Sequence, residues 1–66
     1  MMKIKTLVNA MIIKPDEIHW FNENLFLISK MSLDTLLSEE FSKYKVEKFN
    51  TYIDKDGLTI LQLILK

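Results

Sequence analysis

The 66-residue chain contains no cysteine, no arginine, one histidine, one proline and one glycine. The absence of cysteine excludes disulfide bonds, and a lone imidazole without thiolates cannot form the usual four-ligand structural zinc site. A chain of this length makes one domain, which we place at residues 1–66, and it buries only ~60% of its extended surface on folding. Small domains without such cross-links depend on an efficient core or on a second chain.

An excess of charge of either sign is also lacking, because nine lysines balance nine acidic residues. Nucleic-acid-binding domains usually carry a basic excess, and arginine is the residue best suited to recognise phosphate and guanine. The composition therefore argues against a nucleic-acid partner.

Long hydrophobic runs are missing as well. No unbroken apolar run exceeds the four residues of Leu25–Ile28, whereas a helix that crosses a bilayer needs about 20. The apolar start, Leu7–Ile13, is interrupted by Asn9 and lacks the small-residue cleavage pattern of a signal peptide. We expect a soluble, cytoplasmic protein without membrane association.

The chain is rich in apolar side chains, which make up 48% of its residues. A small body has much surface and little interior, so part of this apolar area should remain exposed. A contiguous exposed patch would mark an interface.

Alternating apolar residues predict a strand over residues 3–13, which Pro15 ends. Residues 17–30 fit two structures. A β-hairpin is the preferred interpretation, because the asparagine-rich segment Asn22–Asn24 suits a tight turn. The alternative is a short helix from Pro15 to about Asn24, since proline is favoured in a first helical turn.

Residues 32–44 carry the clearest helical pattern. Ser32 is a favourable N-cap, and Asp34 and Lys43 have the charges that the helix dipole favours at its two ends. The apolar residues fall on one stripe of this helix: Leu33, Leu36, Leu37, Phe41 and Tyr44.

Residues 46–53 and 58–65 predict a second hairpin, in which Gly57 takes the left-handed position after a type I turn. The last strand is apolar on both faces and therefore needs cover on both. One face carries Leu61, Leu63 and Leu65, and the other carries Leu58, Ile60, Gln62 and Ile64. The helix covers one face, and a second copy of the chain is the simplest cover for the other.

Together these elements predict an α+β fold. It consists of an antiparallel sheet of four or five strands packed by one amphipathic helix, in the order β-ββ-α-ββ.

The sequence predicts no catalytic, cofactor or metal site, and we expect no enzyme. His19 has no serine in a nucleophile-elbow pattern to activate, and one glycine cannot make a glycine-rich phosphate loop. The segment Asp54–Gly57 resembles the centre of a calcium-binding EF-hand loop. Tyr52 and Leu63 would then occupy ligand positions, so we reject calcium.

The preferred function is a small non-catalytic protein-binding module that also self-associates. It would occlude the surface of a host protein, as an inhibitor encoded by a phage or plasmid would. The candidate interface combines the aromatic cluster with the last strand: Trp20, Phe21, Phe26, Leu61, Leu63 and Leu65.

The alternative is a small nucleic-acid-binding transcriptional regulator with a winged-helix-like arrangement of residues 32–65. Residues 32–42 and 46–54 would form its two helices and the last hairpin its wing. The nearly self-cancelling charges of 46–54 weigh against it.

Overall fold

A computed structural model describes all 66 residues and contains a five-stranded sheet, two α-helices and one 3₁₀ turn. The strands are β1 (Met2–Lys3), β2 (Glu17–Phe21), β3 (Leu27–Met31), β4 (Lys45–Ile53) and β5 (Thr59–Leu65). The helices are α1 (Ile4–Ala10) and α2 (Leu33–Leu36), and the 3₁₀ turn is Glu39–Phe41. The predicted α+β class is confirmed. Neither α-helix has the length and hydrophobicity that crossing a membrane requires.

The sheet is mixed, with the strand order β1-β4-β5-β2-β3. Neighbouring strands are antiparallel except β2 and β5, which run parallel with Ile18 beside Leu61. The prediction of a wholly antiparallel sheet is therefore wrong. The segment 32–44 is long enough for a crossover between the two hairpins, and such a crossover allows parallel pairing.

Both predicted hairpins are present, as β2–β3 and β4–β5. Gly57 has a φ of 82° and its N–H donates to the Asp54 carbonyl at 3.0 Å, which confirms the predicted turn. The alternative helix from Pro15 to Asn24 is excluded, because strand β2 occupies the middle of that segment. Likewise, β4 replaces the second helix that a winged-helix arrangement needs.

The predicted strand over residues 3–13 is wrong beyond its first residue, because α1 follows directly. The same sequence supports two periods, and the strand period would bury Thr6 and Ala10, which are exposed. A helix of seven residues has little stability by itself, so packing against the sheet selects the helical period. The side chains that pack are spaced for one side of a helix: Ile4, Leu7 and Val8.

The predicted helix over residues 32–44 is broken into α2 and the 3₁₀ turn. Its N-cap is confirmed, since Ser32 Oγ accepts a hydrogen bond from the Thr35 N–H at 3.2 Å. The break lies at Ser38, whose backbone is extended and whose Oγ donates to the Thr35 carbonyl at 2.7 Å. Serine side chains that bond to nearby backbone groups compete with helix formation in this way.

The hydrophobic core lies between the helices and one face of the sheet. Its members are Ile4, Leu7, Val8, Ile18, Leu36, Phe41, Val46, Leu61 and Leu63. Although the helix is broken, its predicted stripe still faces this core, with Leu36 and Phe41 buried. We call the other side of the sheet the open face. By the strand registers it carries Glu17, His19, Phe21, Lys48, Asn50, Tyr52, Ile60, Gln62 and Ile64.

Lys14 holds the C-terminal end of α1. Its Nζ donates to the carbonyls of Val8 and Met11 at 2.6 and 2.7 Å. These carbonyls include groups that a helix end leaves unpaired, and a cation there also opposes the negative end of the helix dipole.

We therefore predict that Lys14→Met lowers the free energy of unfolding by about 1 kcal/mol, measured by urea denaturation. Lys5→Met is the matched control, because Lys5 is an exposed lysine within α1, far from the helix end that Lys14 contacts. It should change stability by less than about 0.5 kcal/mol. Equal losses in the two variants would contradict this role of Lys14.

Candidate protein-binding surface

The structure places the six predicted interface residues on different sides of the sheet. Leu61 and Leu63 are fully buried in the core, and Leu65 packs against it. Trp20 also faces the helices, with its ring centroid 5.6 Å from that of Phe41. Leu61 and Leu63 are therefore not exposed in the single chain, whereas Trp20 and Leu65 are partly buried.

Phe21 and Phe26 are the two predicted residues that remain on the outer surface. Phe21 is half-buried on the open face, and Phe26 is exposed near the tip of the β2–β3 hairpin. Trp20 and Phe21 lie on opposite faces of the sheet, because successive side chains along a strand point to alternate faces.

A continuous exposed apolar run begins in the turn of this hairpin and continues into β3. Leu25, Phe26, Leu27 and Ile28, which we call the hairpin patch, are each 47–71% exposed. Four consecutive exposed apolar residues are unusual in a soluble domain unless they have a function. No apolar run of the sequence is longer than this patch, yet simple alternation would turn half of it inward. It stays outside because β3 is an edge strand and its register with β2 shifts beside Phe21.

The Asn22 side chain organises the turn that presents this patch. Its Oδ1 accepts hydrogen bonds from the N–H groups of Asn24 and Phe26, at 2.9 and 3.1 Å. The Asn22 N–H donates to the Phe26 carbonyl at 2.9 Å, which closes the hairpin. The patch is therefore held at its base by a defined turn.

Leu25 occupies a backbone conformation that suits glycine, with a φ of 66°. The other hairpin has the same hydrogen-bonding pattern, in which Asp54 replaces Asn22 and Gly57 stands where Leu25 does. The left-handed conformation costs a residue with a side chain about 1–2 kcal/mol. The chain thus keeps a large apolar side chain, 71% exposed, at a strained position.

A shallow groove on the open face adjoins the hairpin patch through Leu25. It has a volume of about 380 Å³, and Phe21, Leu25 and Ile64 are among its lining residues. Lys48, Asn50 and Gln62 line it on the side of β4 and β5. The groove can hold an apolar side chain of a partner beside polar groups that are able to hydrogen bond.

A row of polar side chains crosses the open face next to the groove. His19, Gln62 and Asn50 lie side by side on three neighbouring strands, and the Asn50 Nδ2 donates to the Gln62 Oε1 at 3.1 Å. The His19 Nε2 lies 3.0 Å from the Glu17 Oε1. Across the whole chain, no three His, Asp or Glu side chains are grouped as metal ligands.

No known protein family, curated protein or solved structure matches this chain. Function is therefore inferred from the geometry of the surface.

The strain at Leu25 predicts that Leu25→Gly raises the free energy of unfolding by about 1 kcal/mol, because glycine adopts a positive φ without steric cost. Thermal and urea denaturation measure this. The reciprocal change, Gly57→Leu, should lower stability by a similar amount. A Cβ atom added at Gly57 meets no atom within 4 Å, so the expected loss comes from backbone strain. A loss of stability in Leu25→Gly would contradict the prediction, since Leu25 would then gain more from packing than it loses in strain.

Proposed function

We propose that this protein is a small non-catalytic protein-binding module that binds its partner with the hairpin patch and the adjoining groove. It acts by occluding the partner's surface, as an inhibitor encoded by a phage or plasmid would. The observation that carries the proposal is the set of four consecutive apolar residues, Leu25–Ile28, exposed on an edge hairpin. Exposed apolar area of this kind costs solubility unless a partner covers it.

The surroundings of the patch support a protein partner rather than a lipid or a nucleic acid. Charged residues of both signs lie next to it, with Lys66 Nζ 3.5 Å from a carboxylate oxygen of Glu23 and 3.7 Å from one of Glu47. An apolar centre with a mixed, polar rim is typical of protein–protein interfaces. The expected partner surface is an apolar depression or groove that accepts Leu25 and Phe26.

The strained backbone at Leu25 supports the same proposal. A glycine would fit the turn better, so the leucine side chain has a benefit that the isolated fold does not provide. Partner binding supplies such a benefit, because large apolar side chains at the centre of an interface contribute most of the affinity.

Absence of catalysis is part of the proposal. The groove is lined mainly by apolar side chains, and His19 is not among them. A winged-helix regulator is not proposed, because the segment that would form its second helix is strand β4.

The test is affinity capture from a lysate of the source cells, followed by binding measurements with the purified partner. The double variant Phe26→Ser, Ile28→Ser should bind about 100-fold more weakly, since it removes two apolar contacts of at least about 1.4 kcal/mol each. Circular dichroism checks that the variant keeps its fold, which is expected because both residues are exposed.

The matched control is the double variant Ile12→Ser, Ile13→Ser, which removes two exposed apolar residues outside the patch. It should bind like the wild type. Undiminished binding by the patch variant, or an equal loss in the control, would overturn the proposal.

A further inference from the structure

Strand β4 has a long free edge. β1 pairs only with Lys45 and Val46, so the next seven residues, Glu47–Ile53, have no neighbouring strand on their outer side. All seven are exposed, and none is proline or glycine. An edge of this kind presents unpaired N–H and C=O groups to any extended chain.

The hydrogen bonds of the β4–β5 hairpin fix which backbone groups point outward. The Asp54 N–H donates to the Leu58 carbonyl at 2.9 Å, whereas the Thr59 carbonyl turns away from β4 and accepts from the Asp16 N–H at 2.8 Å. Antiparallel pairs alternate between bonded and non-bonded. The backbone groups of Phe49, Thr51 and Ile53 therefore point to the free edge.

We propose that this edge pairs with the same edge of a second copy of the chain. The two β4 strands run antiparallel about a twofold axis at Thr51, so that the two five-stranded sheets join into one of ten strands. In this register Thr51 faces the partner's Thr51, and Phe49 faces the partner's Ile53. All three outward residues of each copy then take part, which gives six backbone hydrogen bonds.

The side chains are complementary in the same register. Phe49 and Ile53 are both exposed in the single chain, and the pairing brings each against an apolar side chain of the other copy. Lys48 stands opposite the partner's Asp54, and the twofold axis repeats this pair of opposite charges. Cross-strand apolar and opposite-charge pairs both stabilise antiparallel sheets.

Neighbouring registers fit less well. An axis at Asn50 brings only Phe49 and Thr51 into bonded pairs, which gives four hydrogen bonds, and places Lys48 opposite the partner's Tyr52. An axis at Tyr52 also gives only four backbone hydrogen bonds. It places Phe49 opposite the partner's Lys55, which lies in the turn. The self-complementary sequence therefore selects the axis at Thr51 and a second copy as the occupant. This inference does not rest on the hairpin patch.

The test is the oligomeric state, measured by sedimentation and light scattering from low to high micromolar concentration. The wild type should shift from 7.8 kDa toward twice that mass. Thr51→Pro removes an outward N–H that the protomer does not use, and proline is tolerated on an edge strand. It should weaken dimerisation at least about 100-fold, because two hydrogen bonds at the axis are lost and the ring blocks close approach.

Ser29→Pro is the matched control on the opposite edge of the sheet. Ser29 lies opposite Trp20, whose backbone faces β5, so its own N–H points away from β2. This variant should dimerise like the wild type. A wild type that stays monomeric at every concentration would overturn the proposal, as would dimerisation lost in Ser29→Pro and kept in Thr51→Pro.

If Thr51→Pro fails to fold, a second pair of variants tests the dimer with its axis at Thr51. Lys48→Glu places two like-charge contacts with the partner's Asp54 in the interface and should weaken the dimer about 10-fold. Lys43→Glu makes the same change in net charge at an exposed residue outside β4 and should have no effect. Equal dissociation constants for the two lysine variants would also refute this register.

Discussion

Burial of strand β5 on both of its faces is the constraint on which the rest of the structure depends. Leu61 and Leu63 on one face are covered by the helices, and Ile60 and Ile64 on the other are flanked by the neighbouring strands. Such cover requires a central position in the sheet, which β5 has between β4 and β2. A chain with so small an interior uses most of its core residues to meet this requirement.

The helices follow from the same requirement. α1 has seven residues and no side-chain N-cap, and α2 has four residues, so neither is stable in isolation. They form because their apolar sides close the core over Ile18 and Leu61. Packing, rather than intrinsic propensity, therefore determines where the chain is helical.

Two groups of apolar side chains that the core does not use lie at the edges of the sheet. The hairpin patch belongs to the β2–β3 edge, and Phe49 and Ile53 belong to the free edge of β4. β5 and β2 separate the hairpin patch from the free edge of β4, whereas the groove between them includes Lys48 and Phe49 of β4. In the proposed dimer the two hairpin patches lie at opposite ends of a ten-stranded sheet, which would let one dimer engage two partner sites.

The sequence by itself determined the elements whose signals are local. These are both hairpins, the turn at Gly57, the Ser32 cap and the apolar stripe from Leu33 to Tyr44, because each depends on residues close together in the chain. Tertiary structure alone decided the helix at Ile4–Ala10, the parallel pairing of β2 with β5 and the packing of Trp20 against Phe41. Residues 4–10 carry both a strand period and a helix period, and only contact with the sheet chooses between them. Exposure of Leu25–Ile28 likewise depends on which strand lies at the edge, and strand order is a property of long-range pairing rather than of local sequence.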